Sequence, residues 1–212
     1  MSDQTPEILK LVLIGESGVG KTSIITQFVE EVFIADKNST IGGTFSSKSV
    51  KCGNGKNLKL EIWDTAGQER YRSVTKMFYK YANAAILVYD ITNKNSYDQL
   101  QNYWVEQVKE SSPKNIIIAI AANKCDLFDK EVVDEKAARD YAKSIGAIFS
   151  LTSAKSTAGI NDIFIEISKK YSGAESATVV EEKEEIQEFK KIRKESVLIT
   201  KNSQKNKKKG FC

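Results

Sequence analysis

Short apolar runs alternate with amphipathic stretches along most of this chain. Ile8–Ile14, Leu58–Trp63, Ala84–Tyr89, Ile116–Ala122 and Ala147–Leu151 are continuous or nearly continuous in Ile, Leu, Val and Ala, the pattern of strands buried on both faces. Between them, Lys21–Glu30, Arg70–Tyr81, Ser96–Glu110, Asp134–Ser144 and Ile160–Tyr171 space their apolar residues as helices do. Strand–helix alternation predicts βαβ units, hence a mostly parallel sheet with helices on both faces. Phe45–Val50 differs, because only Cys52-Gly53-Asn54-Gly55-Lys56 separates it from the next strand. Asn-Gly is a strong hairpin signal, so Phe45–Val50 is expected to pair antiparallel at one sheet edge. The sum is an α/β fold with a six-stranded, mostly parallel sheet and one antiparallel edge strand.

The pattern fades after Tyr171. Glu181–Glu188 is acidic, Lys190–Lys194 is basic, and Lys201–Lys209 holds five Lys in nine residues before Gly-Phe-Cys. The chain therefore divides into a short polar extension (residues 1–7), a globular domain (8–171) and a tail (172–212). The tail carries ten basic and seven acidic side chains of a chain whose total is +4. Such a balance, with no aromatic residues interleaved in the lysine stripe, argues against nucleic-acid binding. The acidic start does not read as a signal peptide, and the apolar runs are too short to span a bilayer. There is no His, so the commonest general base and metal ligand are missing. Cys52, Cys125 and Cys212 stand far apart, which suits a reducing compartment better than a disulfide framework.

Candidate chemistry sits where the strands end. After Ile14 comes Gly15-Glu16-Ser17-Gly18-Val19-Gly20-Lys21-Thr22, a GxxxxGKT loop between a strand and a helix. Glycines let the backbone wrap a triphosphate with N–H groups, and the helix N-terminus adds its positive dipole end. Lys21 would reach the β- and γ-phosphates, and the Thr22 hydroxyl would ligate Mg²⁺. The loop does not choose between kinases, ATPases and GTPases. The end of Ile116–Ala122 does, because Asn123-Lys124-Cys125-Asp126 places a carboxylate that can accept from N1–H and the exocyclic amine of guanine. Adenine offers an acceptor at N1, and a buried group left unpaired discriminates strongly. Thr152-Ser153-Ala154-Lys155, after the last strand, would present N–H groups to guanine O6. Leu58–Trp63 ends in Asp64-Thr65-Ala66-Gly67-Gln68, where Asp64 can hold Mg²⁺ through water, Gly67 can approach a γ-phosphate and Gln68 can orient a water.

GESGVGKT (Gly15–Thr22), STIGGTF (Ser39–Phe45), WDTAGQERY (Trp63–Tyr71), NKCD (Asn123–Asp126) and TSAK (Thr152–Lys155) stand in this order. In them the chain resembles small Ras-like GTPases of the Rab family, and GES-x-VGK, STIG-x-x-F and WDTAGQERY together with VYDITN (Val88–Asn93) look most like their endocytic branch. The resemblance implies a P-loop NTPase fold of the Ras-like G-domain type. It implies a GTP or GDP site formed by Gly15, Glu16, Ser17, Gly18, Val19, Gly20, Lys21, Thr22 and Ser23, by Phe33 packed edge-on against guanine, by Ser39, Thr40 and Gly67, and by Asn123, Lys124, Asp126, Ser153, Ala154 and Lys155. Mg²⁺ would be held by Thr22, by Thr40 while the γ-phosphate is present, and by Asp64 through water. Lys21 and Gln68 would be catalytic. Phe45, Trp63 and Phe78 would form an aromatic face for effectors, with Phe78 where Tyr is usual. Ser17 stands where many Ras-like proteins have Gly and could slow hydrolysis, so the alternative is a GTP-bound scaffold.

The implied activity is slow GTP hydrolysis, raised roughly 10³–10⁵-fold when an activating protein supplies an arginine. An exchange factor would reload the switch, and a GDP-dissociation inhibitor or escort protein would accompany it. The expected address is the cytoplasm, cycling onto the cytosolic face of membranes, endosomal by family analogy. Prenylation of Cys212 beside the polybasic stretch would anchor the tail. No feature indicates oligomerisation, so a monomer is expected.

Overall fold

The computed structural model describes residues 6–35, 43–65 and 77–180. Its elements run β1 (Glu7–Ile14), α1 (Lys21–Glu30), β2 (Gly43–Cys52), β3 (Asn57–Thr65), β4 (Ala84–Asp90), α2 (Lys94–Gln99), α3 (Val105–Ser111), β5 (Ile117–Asn123), α4 (Glu135–Ser144), β6 (Ile148–Thr152), α5 (Ile160–Ser172) and β7 (Ala177–Val179). A π-turn, Leu100–Trp104, joins α2 to α3, so the helix expected over 96–110 is interrupted by a wider turn. Of the helix expected over Arg70–Tyr81, residues 77–81 are described: 77–79 are helical and 80–81 form a turn, so the helix ends two residues earlier than expected.

The strands form one sheet in the order β6-β5-β4-β1-β3-β2-β7. β1 pairs parallel with β3 on one side and β4 on the other, and β5 and β6 continue the parallel half. Strand alternation then builds a core on each face. Leu9, Leu11 and Leu13 of β1 join Ile86 and Val88 of β4 beneath α1 and α5, where Phe28 and Phe164 stack with centroids 3.8 Å apart. Val12 and Ile14 face the other way, with Leu87, Tyr89 and Ile120, beneath α2, α3 and α4. β1 opens with exposed Glu7, Ile8 and Lys10, but β4 and β5 are covered on both faces and so are apolar up to their last residues, Asp90 and Asn123. This is why they were visible as uninterrupted runs.

The sheet has seven strands rather than the six expected. β2 and β3 form the antiparallel hairpin, but β2 does not end the sheet throughout. The chain reverses at Gly173, in the left-handed region with φ 71°, and returns to lay Ala177–Val179 against Val50–Cys52. The Gly53 N–H donates to Ser176 O at 2.7 Å and Asn54 Nδ2 to Ser172 O at 3.0 Å, fixing the return at the hairpin turn. An open sheet edge presents unpaired N–H and C=O groups, and this short strand satisfies some of them. Its sequence has no apolar run to announce it.

Candidate functional site

β1 stands where the strand order reverses, since β3 lies to one side and β4, β5 and β6 to the other. Ligands of open α/β sheets bind outside the carboxyl ends of the strands at such a point. Asp90, Asn123 and Thr152 mark those ends on neighbouring strands and sit in register, Asp90 opposite Asn123 and Asn123 opposite Thr152.

The loop from Ile14 to Lys21 can follow its path only with glycine at two positions. A Cβ on Gly15, at φ 144°, would stand 2.3 Å from the carbonyl oxygen of Val88 in β4. A Cβ on Gly20, at φ 99°, would stand 2.3 Å from Asn123 Nδ2. The loop therefore folds tightly against both the sheet and β5. Lys21 curls back, and its Nζ donates to Gly15 O and Glu16 O, each at 2.8 Å. Only 5% of Lys21 is exposed. Burial pulls its pKa from 10.5 to about 8, while Asp64 and Glu16 pull the other way. An ammonium held in a glycine loop with carbonyl partners is set to receive an anion.

Next to it, Thr22 Oγ1 donates to Asp64 Oδ2 at 2.6 Å. Asp64 lies inside β3 and is 1% exposed. A hydroxyl and a carboxylate side by side are hard oxygen ligands. Among the described residues no cluster of three or more His, Cys, Asp or Glu could hold a metal by itself. The donor set fits a small oxygen-seeking cation such as Mg²⁺, which takes one or two protein oxygens and completes its shell with water and phosphate.

On the other side, Asn123 is 2% exposed and joins three segments. Its Nδ2 donates to Val19 O in the glycine loop at 2.7 Å, and its Oδ1 accepts from Thr152 Oγ1 at 3.2 Å. Ser153 Oγ donates to Asp126 Oδ1 at 2.6 Å and accepts from the Ser156 N–H at 3.0 Å, aligning the two loops. Lys124 adopts a left-handed conformation, φ 66°, and its Nζ pairs with Asp90 Oδ2 at 2.6 Å. The other oxygen of Asp90 accepts from Thr92 N and Thr92 Oγ1 at 2.9 and 2.7 Å. Cys125 lies between, its thiol pushed up by burial and by Asp126.

The structure thus gathers Gly15–Ser23, Asp64, Asn123, Lys124, Asp126 and Ser153, with Ala154 buried beside Ser153. Lys155 is exposed, and Phe33 is 40% exposed on the segment after α1. Phe45 and Trp63 meet edge-on with centroids 5.1 Å apart, and Trp63 and Phe78 are 5.4 Å apart. Phe45 is 50% exposed, so this aromatic row has an open end. Ser39, Thr40, Gly67, Gln68 and Cys212 lie outside the described residues. Asp90 and Thr92 escaped sequence reasoning as parts of the site. The signal was present in Asp90-Ile91-Thr92, an acid at a strand end followed by a hydroxyl two residues on.

The sequence profile of the Ras family matches residues 10–173. The chain is 50% identical to Ras-related protein Rab-22A of Homo sapiens over 162 residues, which is 76% of this chain and 82% of that protein. It is 48% identical to Ras-related protein Rab-31 of Mus musculus over the same number of residues, again 76% and 82% of the two chains. Among the described residues no helix is long and apolar enough to cross a membrane.

Proposed function

Since this chain belongs to the Ras family of small GTPases, on its Rab branch, it hydrolyses GTP to GDP and phosphate; we propose that it does so in the pocket around Lys21 and Asn123, and that the two nucleotide states switch its contacts with effectors in vesicle traffic. The carrying observation is the Asn123 side chain, buried and bonded to the glycine loop at Val19 and to β6 at Thr152. One ligand that touches both loops, phosphates at one and base at the other, explains why they are locked together.

In this reading the phosphates lie along Gly15–Gly20, and the Lys21 ammonium shifts from its carbonyl seats toward the β- and γ-oxygens. Thr22 and Asp64 would hold Mg²⁺, Asp64 through water, and the ion would supply positive charge beside those oxygens. Asp126, aligned by Ser153, accepts from N1–H and the amine of guanine. The Lys124 stem, tied to Asp90, borders the base. Gln68 orients the attacking water, and Thr40 and Gly67 sense the γ-phosphate, roles that rest on the family resemblance. Catalysis is positioning and electrostatics, so an arginine from an activating protein is the missing element. Loss of the γ-phosphate releases the switch segments that flank the Phe45, Trp63 and Phe78 row. Exchange factor, GDP-dissociation inhibitor or escort protein, and an endosomal address follow the family pattern.

The test is Asp126→Asn. Xanthine carries a carbonyl where guanine carries its amine, so an amide at position 126 can donate to it. Preference should move from GTP toward xanthosine triphosphate by at least tenfold, measured by competition against a fluorescent nucleotide. Unchanged GTP affinity in that variant would refute the assignment.

A further inference from the structure

Glu16 brings a carboxylate into the phosphate cradle. A carboxylate there is repelled by the same charges the loop is built to attract. The structure shows where the acid goes. Trp104 Nε1 donates to Glu16 Oε1 at 3.0 Å, across 88 residues of sequence. Trp104 is 1% exposed and closes the π-turn Leu100–Trp104, in which the Val105 N–H reaches back to Leu100 O. A π-turn inserts one extra residue and so redirects the side chains beside it, and such turns concentrate at functional sites.

Glu16 is pinned at its other end as well, because its carbonyl is one of the two seats of the Lys21 ammonium. A neutral indole N–H holds the carboxylate without cancelling its charge. It fixes the direction of the side chain, and through it the carbonyl that Lys21 uses. Trp104 also belongs to the buried cluster that contains Tyr79, against which Phe78 and Trp63 pack. One side chain therefore links the glycine loop to the buried cluster on that face of the sheet.

We propose that Trp104 is a positioning residue for nucleotide retention, acting through Glu16 on the loop that holds the phosphates. This rests on the reading that Gly15–Thr22 binds the nucleotide. A hydrogen bond to a charged group is worth roughly tenfold or more in an equilibrium constant, which bounds what its loss can pass on to nucleotide release.

The experiment measures release of fluorescent GDP from the full chain with Mg²⁺ for wild type, Glu16→Ala, Trp104→Phe and the double variant. Glu16→Ala leaves the core untouched, so it stays informative should Trp104→Phe fold poorly. Trp104→Phe should release GDP roughly tenfold faster in the wild-type background and change nothing further in the Glu16→Ala background, where the rate also reflects the lost repulsion between carboxylate and phosphate. Additive acceleration, or Trp104→Phe lowering the melting temperature with release unchanged, would overturn the proposal. A second readout is the indole N–H resonance, one of only two in a chain with two Trp. It should move in Glu16→Ala, and a purely packing role for Trp104 predicts that it stays. If wild type does not bind GDP at all, the nucleotide reading itself fails, which is distinct from failure of the Trp104 link.

Discussion

Asn123→Ala tests whether the two loops act as one site. The substitution removes the donor to Val19 O at 2.7 Å and the acceptor of Thr152 Oγ1 at 3.2 Å, both in buried surroundings. Each group left unsatisfied costs about 1–3 kcal/mol, so the loss of two partners is about 2–6 kcal/mol. For a domain of this size about 1 kcal/mol moves the melting temperature by roughly 2–4 °C, so a fall of about 4–24 °C is expected. The same change should appear in nucleotide release. With the tie intact, the glycine loop and the Asn123–Asp126 segment are held in register before the ligand arrives. Without it, ordering the two loops is charged against binding, and a loss of about 2 kcal/mol corresponds to roughly thirtyfold faster release. Thr152→Val is the graded comparison, since it removes only the longer bond and keeps the link to Val19. It should cost about 1 kcal/mol and change release by less than tenfold. Thermal melting and fluorescent GDP dissociation, on the same preparations, decide the matter. A large drop in melting temperature with unchanged release would refute the reasoning, because Asn123 would then staple the fold without serving the ligand.

Gly15→Ala should be among the most damaging small changes, because its Cβ would meet a backbone oxygen of β4 at 2.3 Å and the residue sits at φ 144°. Strain and overpacking together suggest a loss of about 2–5 kcal/mol; a melting temperature within 2 °C of wild type (roughly 1 kcal/mol) would contradict the loop path. Lys21 sets a pH dependence. Burial lowers its pKa from the ordinary 10.5 to about 8, so near pH 8.5 part of the population is neutral. Phosphates favour the charged form, and GDP binding at pH 8.5 should take up a fraction of a proton that is absent at pH 6.5. Titration calorimetry in buffers of different ionisation enthalpy reads this uptake, and an identical slope at both pH values would argue against it. Lowering also has a consequence for stability. The unfolded chain binds the proton more tightly, so this group's contribution rises with pH between about 8 and 10.5 and is lost below.

How much of this was legible beforehand depends on whether the information is local. The strands β4 and β5 are legible because each is covered on both faces and must be apolar up to its last residue, and β1 because its second half is buried in the same way. The glycine loop was legible because glycine is demanded by close approach, and the structure shows the approached atoms, Val88 O and Asn123 Nδ2. The order of motifs also placed Asp64, Asn123 and Ser153 at strand ends, where a parallel sheet gathers them. Other features had no local trace. Ala177–Val179 is a strand only because Val50–Cys52 offers it an edge. The π-turn interrupts a helix whose apolar spacing reads as continuous.

The sequence by itself therefore determined which segments are buried, where the chain must turn through glycine, and which residue types could meet phosphate, cation and guanine. Those properties belong to single residues and their near neighbours. Only the tertiary structure decided the pairs: Lys21 on Gly15 and Glu16, Lys124 on Asp90, Asn123 between Val19 and Thr152, and Trp104 on Glu16. A hydrogen bond needs its partners within about 3 Å and in line. For residues as far apart as Glu16 and Trp104, that condition is set by how the sheet stacks its helices and not by any spacing along the chain.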